Sequence, residues 1–164
     1  MFTAEYFRQN SGVEPATNSP FWTLLGDAED LAKIPLHHRA QLLFLNKESS
    51  ELVYQCVEDL KIVNQKLWEP FAELEFQKKE KFQFYLDIKT YKKWLYKREI
   101  SFSTWILVLP NYNTHPMLMT WKMLLNYANE IFGNSDDLLI IDFSDTWYLF
   151  HDHDGEATFV SKRK

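Results

Sequence analysis

The sequence predicts a single α+β domain over residues 1–164, with a mixed or mainly antiparallel sheet, helices packed on one face of it and a C-terminal β-hairpin. Three observations carry this. Helix-period segments come first and then alternate with strand-like runs. The last strand-like runs lie too close together for helical crossovers, which argues against a doubly wound parallel sheet. Finally, 46% of the chain is apolar, with 13 Phe, 8 Tyr and 6 Trp against only 4 Gly and 6 Pro. That balance opposes disorder and leaves aromatics available for recognition. A chain of 164 residues fits one domain and buries roughly 70% of its unfolded surface, so a core forms without covalent staples.

Thr3 caps a short N-terminal helix reaching Gln9, and Asn10–Pro20 reads as a loop rich in Asn, Ser, Gly and Pro. Phe21–Trp22–Thr23–Leu24–Leu25 is an apolar anchor. Asp27 starts a brief helix that Pro35 ends or kinks. Leu36, Ala40, Leu43 and Phe44 then recur at helical spacing, and Ser50–Val57 forms a further helix with Leu52, Val53 and Cys56 or Val57 on one face. Trp68–Glu69–Pro70–Phe71 reads as a surface turn. Phe82, Phe84 and Leu86 alternate with Lys81, Gln83 and Tyr85, the period of a strand with one wet face.

Asp87 or Thr90 caps a helix to Arg98 that turns Tyr91, Trp94 and Leu95 inward and leaves Lys92, Lys93 and Lys97 around the rest. Phe102–Leu109 is dense enough in apolar residues for a central strand, ended by Pro110, Asn111 and Asn113. Met119–Phe132 reads as one helix with Met119, Met123, Leu124, Tyr127 and Ile131 as its stripe and Gly133–Asn134 as its exit. Leu138–Phe143 is a third strand. Trp147–His151 and Ala157–Val160 bracket Asp152–His153–Asp154–Gly155, a hairpin turn.

Charge is unevenly placed. Between Glu130 and Glu156 stand Asp136, Asp137, Asp142, Asp145, Asp152 and Asp154, with no Lys or Arg. Residues 77–99 are the reverse: Lys78, Lys79, Lys81, Lys89, Lys92, Lys93, Lys97 and Arg98 outnumber Glu80, Asp87 and Glu99. Helical spacing assigns the lysines around Tyr91, Trp94 and Leu95 to a wet face, those beside the strand read as solubilising edge chemistry rather than a phosphate site, and the pI near 5.5 opposes non-specific nucleic-acid binding. The N-terminus has no basic start with an apolar run, and stretches such as Ile106–Pro110 fall far short of a membrane span. With Cys56 as the sole cysteine, a cytoplasmic protein is expected.

Chemistry finds little foothold. His37 and His38 are adjacent and diverge on a helix. His151 and His153 share a strand face with Asp152, Asp154 and Glu156 nearby, yet a zinc site needs further convergent ligands, so no metal or cofactor is expected. Cys56 reads as a buried, inert thiol. Phosphate-loop, nucleophile-elbow and zinc-protease signatures are missing from the sequence. A small metal-dependent hydrolase using His115, His151, His153 and nearby Asp residues is therefore the weaker alternative.

Recognition is the stronger reading. An acidic surface speeds encounter with a basic partner, and aromatic anchors supply affinity. The residues fitted to such a surface are Asp136, Asp137, Asp142, Asp145, Trp147, Tyr148, Asp152, Asp154 and Glu156.

Four segments, Phe21–Trp22–Thr23–Leu24–Leu25, Ile34–Pro35–Leu36–His37–His38–Arg39, Tyr91–Lys92–Lys93–Trp94–Leu95 and Trp147–Tyr148–Leu149–Phe150–His151, carry a whole-chain resemblance. The chain resembles the small immunity proteins of bacterial polymorphic-toxin and contact-dependent inhibition systems, particularly those accompanying Maf-type toxins. The resemblance implies non-catalytic neutralisation of a cognate toxin, many of which are nucleases, including RNases. On that reading the partner is a toxin domain, with no direct nucleic-acid or membrane contact, and the protein is either a monomer or a homodimer. A regulatory or structural binding domain with no toxin partner is the alternative.

Overall fold

A computed structural model describes residues 3–10, 25, 28–62, 71, 74–83, 87–110, 116–133 and 137–162. Among these residues seven strands form one sheet: β1 Leu42–Phe44, β2 Lys78–Gln83, β3 Trp105–Pro110, β4 Met117–Thr120, β5 Leu138–Asp142, β6 Trp147–His151 and β7 Glu156–Ser161. Their order is β1-β4-β3-β5-β6-β7-β2, and every neighbouring pair is antiparallel. The sheet is thus antiparallel throughout, and β6–β7 is the C-terminal hairpin.

Helices cover both faces of this sheet, not one. Strand alternation explains how. Ile106, Val108, Met117, Met119, Leu138, Ile140, Trp147, Leu149 and Phe159 point to one face and join a core with Tyr91, Trp94, Leu95, Trp121, Leu124, Ile131 and Phe132. Those partners come from α5 Ile88–Tyr96, α6 Trp121–Asn126 and α7 Ala128–Gly133, with Ile34 following α2 Ala28–Lys33. Leu107, Leu109, Leu118, Leu139, Ile141, Tyr148, Phe150 and Val160 point the other way. They meet Phe7 of α1 Ala4–Asn10 and Val53 and Val57 of α4 Lys47–Asp59. Every residue of β5 and β6 is buried. A strand buried on both sides needs an unbroken apolar run, as Leu138–Ile141 is.

Several boundaries follow from local chemistry. Thr3 Oγ1 accepts from the Tyr6 amide at 3.2 Å at the start of α1. Asn46 caps α4 by accepting from Ser49 N at 2.8 Å, which starts that helix earlier than Ser50. Asp87 caps α5 through Lys89 N at 2.9 Å. The stretch from Leu36 is only a four-residue helix, α3 Leu36–Arg39, before the chain extends as β1. The expected single helix from Met119 divides into β4, α6 and α7: Thr120 ends the strand, caps α6 by accepting from Met123 N at 3.4 Å, and Tyr127 breaks the run. The Asn10–Pro20 loop (beyond Asn10 itself), Phe21–Leu24, Trp68–Pro70 and Phe84–Leu86 lie outside the described residues, whereas Leu25 and Phe71 are buried.

Candidate functional site

The acidic segment does not form one rim. β5 carries the chain across the sheet, so its five residues, at about 3.3 Å each, separate the two ends by about 16 Å. Asp142 and Asp145 lie at one end; Asp137, Asp152, Asp154 and Glu156 lie at the other.

At the first end the carboxylates close the β5–β6 connection. Asp142 is buried and accepts hydrogen bonds from the Ser144 hydroxyl and, at 2.8 Å, from Thr146. Asp145 adopts φ 56° and accepts from the Tyr148 hydroxyl and, at 2.8 Å, from Lys162 Nζ. These bonds hold a tight turn between two buried strands. They also satisfy the groups that a partner would otherwise use.

The other end is the hairpin tip. Gly155, at φ 77°, supplies the left-handed residue the turn requires, and Asp152 Oδ1 accepts from the Glu156 amide at 2.8 Å. Asp137 Oδ1 accepts from the His153 amide at 3.0 Å and meets His153 Nδ1 at the same distance, tying the start of β5 to the tip. The Asp137 hydrogen bond, then its charge, raises the His153 imidazole above its usual pKa. Glu156 is engaged by Lys81 Nζ at 2.5 Å and Gln83 Nε2 at 3.1 Å. Asp154 keeps its side chain 80% exposed.

Trp147 and Tyr148 require correction as surface anchors. Adjacent strand residues face opposite ways, so each enters a different core. Trp147 packs edge-on to Trp121 with centroids 5.5 Å apart and stacks on Phe159 at 5.7 Å. Tyr148 lies against Phe71 at 5.8 Å and Phe76 at 6.0 Å. Neither ring is presented to a partner. Asp136 lies outside the described residues, as does His115.

The histidines do not converge. His151 is buried among Phe132 and Tyr91, at 5.1 and 6.1 Å between centroids, and burial lowers its pKa against the opposing pull of Asp152 and Asp137. His153 instead stands on the exposed turn. Elsewhere, His38 Nδ1 lies 2.8 Å from the Tyr127 hydroxyl. Among the described residues, no group of three or more His, Cys, Asp or Glu could hold a metal ion. Cys56 borders a small apolar cavity with Phe7, Val57 and Leu107, and burial raises its thiol pKa. A thiol so placed is a poor nucleophile at neutral pH.

Sequence reasoning missed a cleft of about 590 Å³ beside the β5–β6 connection, lined by Lys78, Lys97, Arg98, Ser101, Thr104 and Asp142 among others. Arg98 anchors it. Its side chain is only 5% exposed, with Nη1 2.6 Å from Glu80 Oε2 and Nε donating to the Trp94 carbonyl at 3.2 Å. The guanidinium lies 4.7 Å from the Trp94 ring and 5.1 Å from that of Phe159. Glu80 also meets Lys78 at 2.5 Å, and that hydrogen bond, with Arg98, holds its carboxyl below the usual pKa. No spacing rule marks Arg98, because its partners arrive from β2 and β7. Its nearest signal was the basic bias of residues 77–99.

Comparison with known proteins finds no family model that matches the chain, and no curated protein matches it. Among the described residues, no helix is long and apolar enough to cross a membrane.

Proposed function

We propose that this chain is a non-catalytic binding protein of the cytoplasm that neutralises a cognate bacterial toxin, with an RNase as the fitting class. The observation that supports this reading is the hairpin end of the sheet. There Asp137, Asp152 and Asp154 come together from β5 and the β6–β7 turn, with Asp154 80% exposed. Lys81 is engaged with Glu156, and His153 lies between Asp137 at 3.0 Å and Asp154 at 3.8 Å, so the carboxylates outnumber the cations at the tip itself. A compact acidic tip on a doubly covered sheet suits insertion toward the basic cleft that a nuclease needs for its substrate. The contact is then narrower than the full acidic segment, since Asp142, Asp145, Trp147 and Tyr148 are engaged inside the fold.

Co-expression with the product of the adjacent gene tests the reading. Wild-type chain should co-purify with that product in a salt-sensitive complex, and Asp152→Lys/Asp154→Lys should weaken it by at least about tenfold. A toxin held equally well by the variant would remove the hairpin tip from the interface. Failure of the wild type to bind or protect would remove the toxin reading itself.

A further inference from the structure

A second surface lies at the opposite end of the sheet, and its chemistry is reversed. Lys93 and the C-cap residue Lys97 stand four residues apart at the C-terminal end of α5, with Lys92 and Tyr96 on the adjoining row. Among the described residues, no carboxylate lies within ion-pair distance of Lys89, Lys92, Lys93 or Lys97. Where α5 ends, Tyr96 and Phe102 stand 52% and 51% exposed, edge-on with centroids 5.8 Å apart. Two large aromatic rings held together at the surface make a ready anchor for an apolar side chain. Immediately beside them opens the cleft into which Lys97 and the nearly buried Arg98 face.

We infer that this face docks an acidic peptide segment of a partner protein, with carboxylates over Lys93, Lys97 and Arg98 and an apolar side chain against Tyr96 and Phe102. The guanidinium is fixed before any ligand arrives, because Glu80, the Trp94 carbonyl and two rings hold it in place. Nε is spent on the Trp94 carbonyl and Nη1 lies against Glu80, so Arg98 adds a fixed positive charge beside Lys97. Ser101 and Thr104, whose hydroxyls are not spent on Asp142, suit the amides and carbonyls of a peptide backbone.

The carboxylates nearby select against a continuous polyanion. Glu99 and Asp142 line the cleft, Asp142 bound by Ser144 and Thr146, and Glu80 is held by Lys78 and Arg98. A phosphate backbone lying in the cleft would meet the like charges of Glu99 and Asp142. A peptide with spaced carboxylates and apolar residues avoids it. This inference concerns a different end of the molecule from the hairpin tip and stands whether or not the partner is a toxin.

The test uses a fluorescein-labelled peptide alternating Glu and Leu, titrated into the 15N-labelled full chain. Saturable shifts should concentrate on the amides of Lys93, Tyr96, Lys97 and Phe102, and high salt should weaken them. Lys93→Glu/Lys97→Glu should lower affinity by at least about tenfold. Phe102→Ala should lower it at unchanged salt dependence, separating the aromatic from the ionic contribution. A peptide alternating Lys and Leu should not bind there. The inference is overturned if no shifts appear, if they spread equally to Lys33 and Lys47, or if a single-stranded oligonucleotide binds this face more tightly than the acidic peptide. Because the substituted side chains are exposed or half-buried, unchanged thermal unfolding of each variant keeps these outcomes readable.

Discussion

Replacing Glu80 by Gln should destabilise the protein more than its place on an edge strand suggests. The substitution preserves shape and removes one charge, leaving Arg98, 5% exposed, without its carboxylate. Breaking a fully buried ion pair costs about 3–5 kcal/mol. Here Glu80 is itself 28% exposed, and the Trp94 and Phe159 rings still receive the guanidinium. Both facts reduce the cost, to about 2–3 kcal/mol. For a chain of this size that corresponds to a fall in Tm of about 4–12 °C. Arg98→Met should cost less, about 1–2 kcal/mol, because Met still packs between the rings and Glu80 keeps Lys78 as a partner. The double substitution should cost less than the sum of the two single ones.

The pH dependence supplies an internal check. Glu80 has its folded-state pKa lowered, chiefly by the Lys78 hydrogen bond. Its contribution is therefore present above the usual carboxylate range and is lost as pH falls through the lowered value. Urea unfolding followed by tryptophan fluorescence should show wild type and Glu80→Gln converging in acid. A Glu80→Gln protein within about 0.5 kcal/mol of wild type at neutral pH would refute the reasoning, placing Arg98 among groups that solvent already satisfies.

Other consequences are open to simpler assays. An NMR titration should place the His153 midpoint above the usual imidazole value, and Asp137→Asn should bring it back down; the stabilising contribution is present below that usual value and lost as pH rises through the folded-state midpoint. Trp147→Ala should cost about 3–5 kcal/mol in urea unfolding, since the indole fits between Trp121 and Phe159; a loss confined to partner binding would contradict its place in the core. Glu99 holds φ 55° just beyond α5, where glycine is the usual occupant, so Glu99→Gly should raise stability by about 0.5 kcal/mol, read by the same unfolding curves.

Much of the fold was legible because its signals are local. Asp87 before an amphipathic α5, the apolar runs of β3 and β5, and Gly155 between two strand patterns each carry their own instruction. The misread elements are those where local signals agree with two structures. Met117–Thr120 is buried throughout, and a short apolar run of that kind has no period to separate strand from helix. Met119 also continues the stripe of α6, so the last residues of β4 merged with it into one expected helix. The second helical layer had a signal as well: Leu138–Ile141 and Trp147–Phe150 are unbroken apolar runs, which a half-wet strand would not tolerate.

The candidate surfaces were less legible for a different reason. A run of carboxylates continuous in sequence is divided in space once β5 crosses the sheet, and alternation sends Trp147 and Tyr148 into separate cores. Arg98 acquires its meaning only from Glu80 and Phe159, on strands distant in sequence from the end of α5.

Inhibition stoichiometry tests the proposed function most directly. Purified wild-type chain, titrated into a fixed concentration of the adjacent gene's product assayed for RNA cleavage, should abolish activity at equimolar addition, and Asp152→Lys/Asp154→Lys should shift the curve to higher concentration. Complete inhibition at strongly substoichiometric amounts would contradict a non-catalytic binder, and cleavage unaffected by excess chain would contradict neutralisation of that toxin.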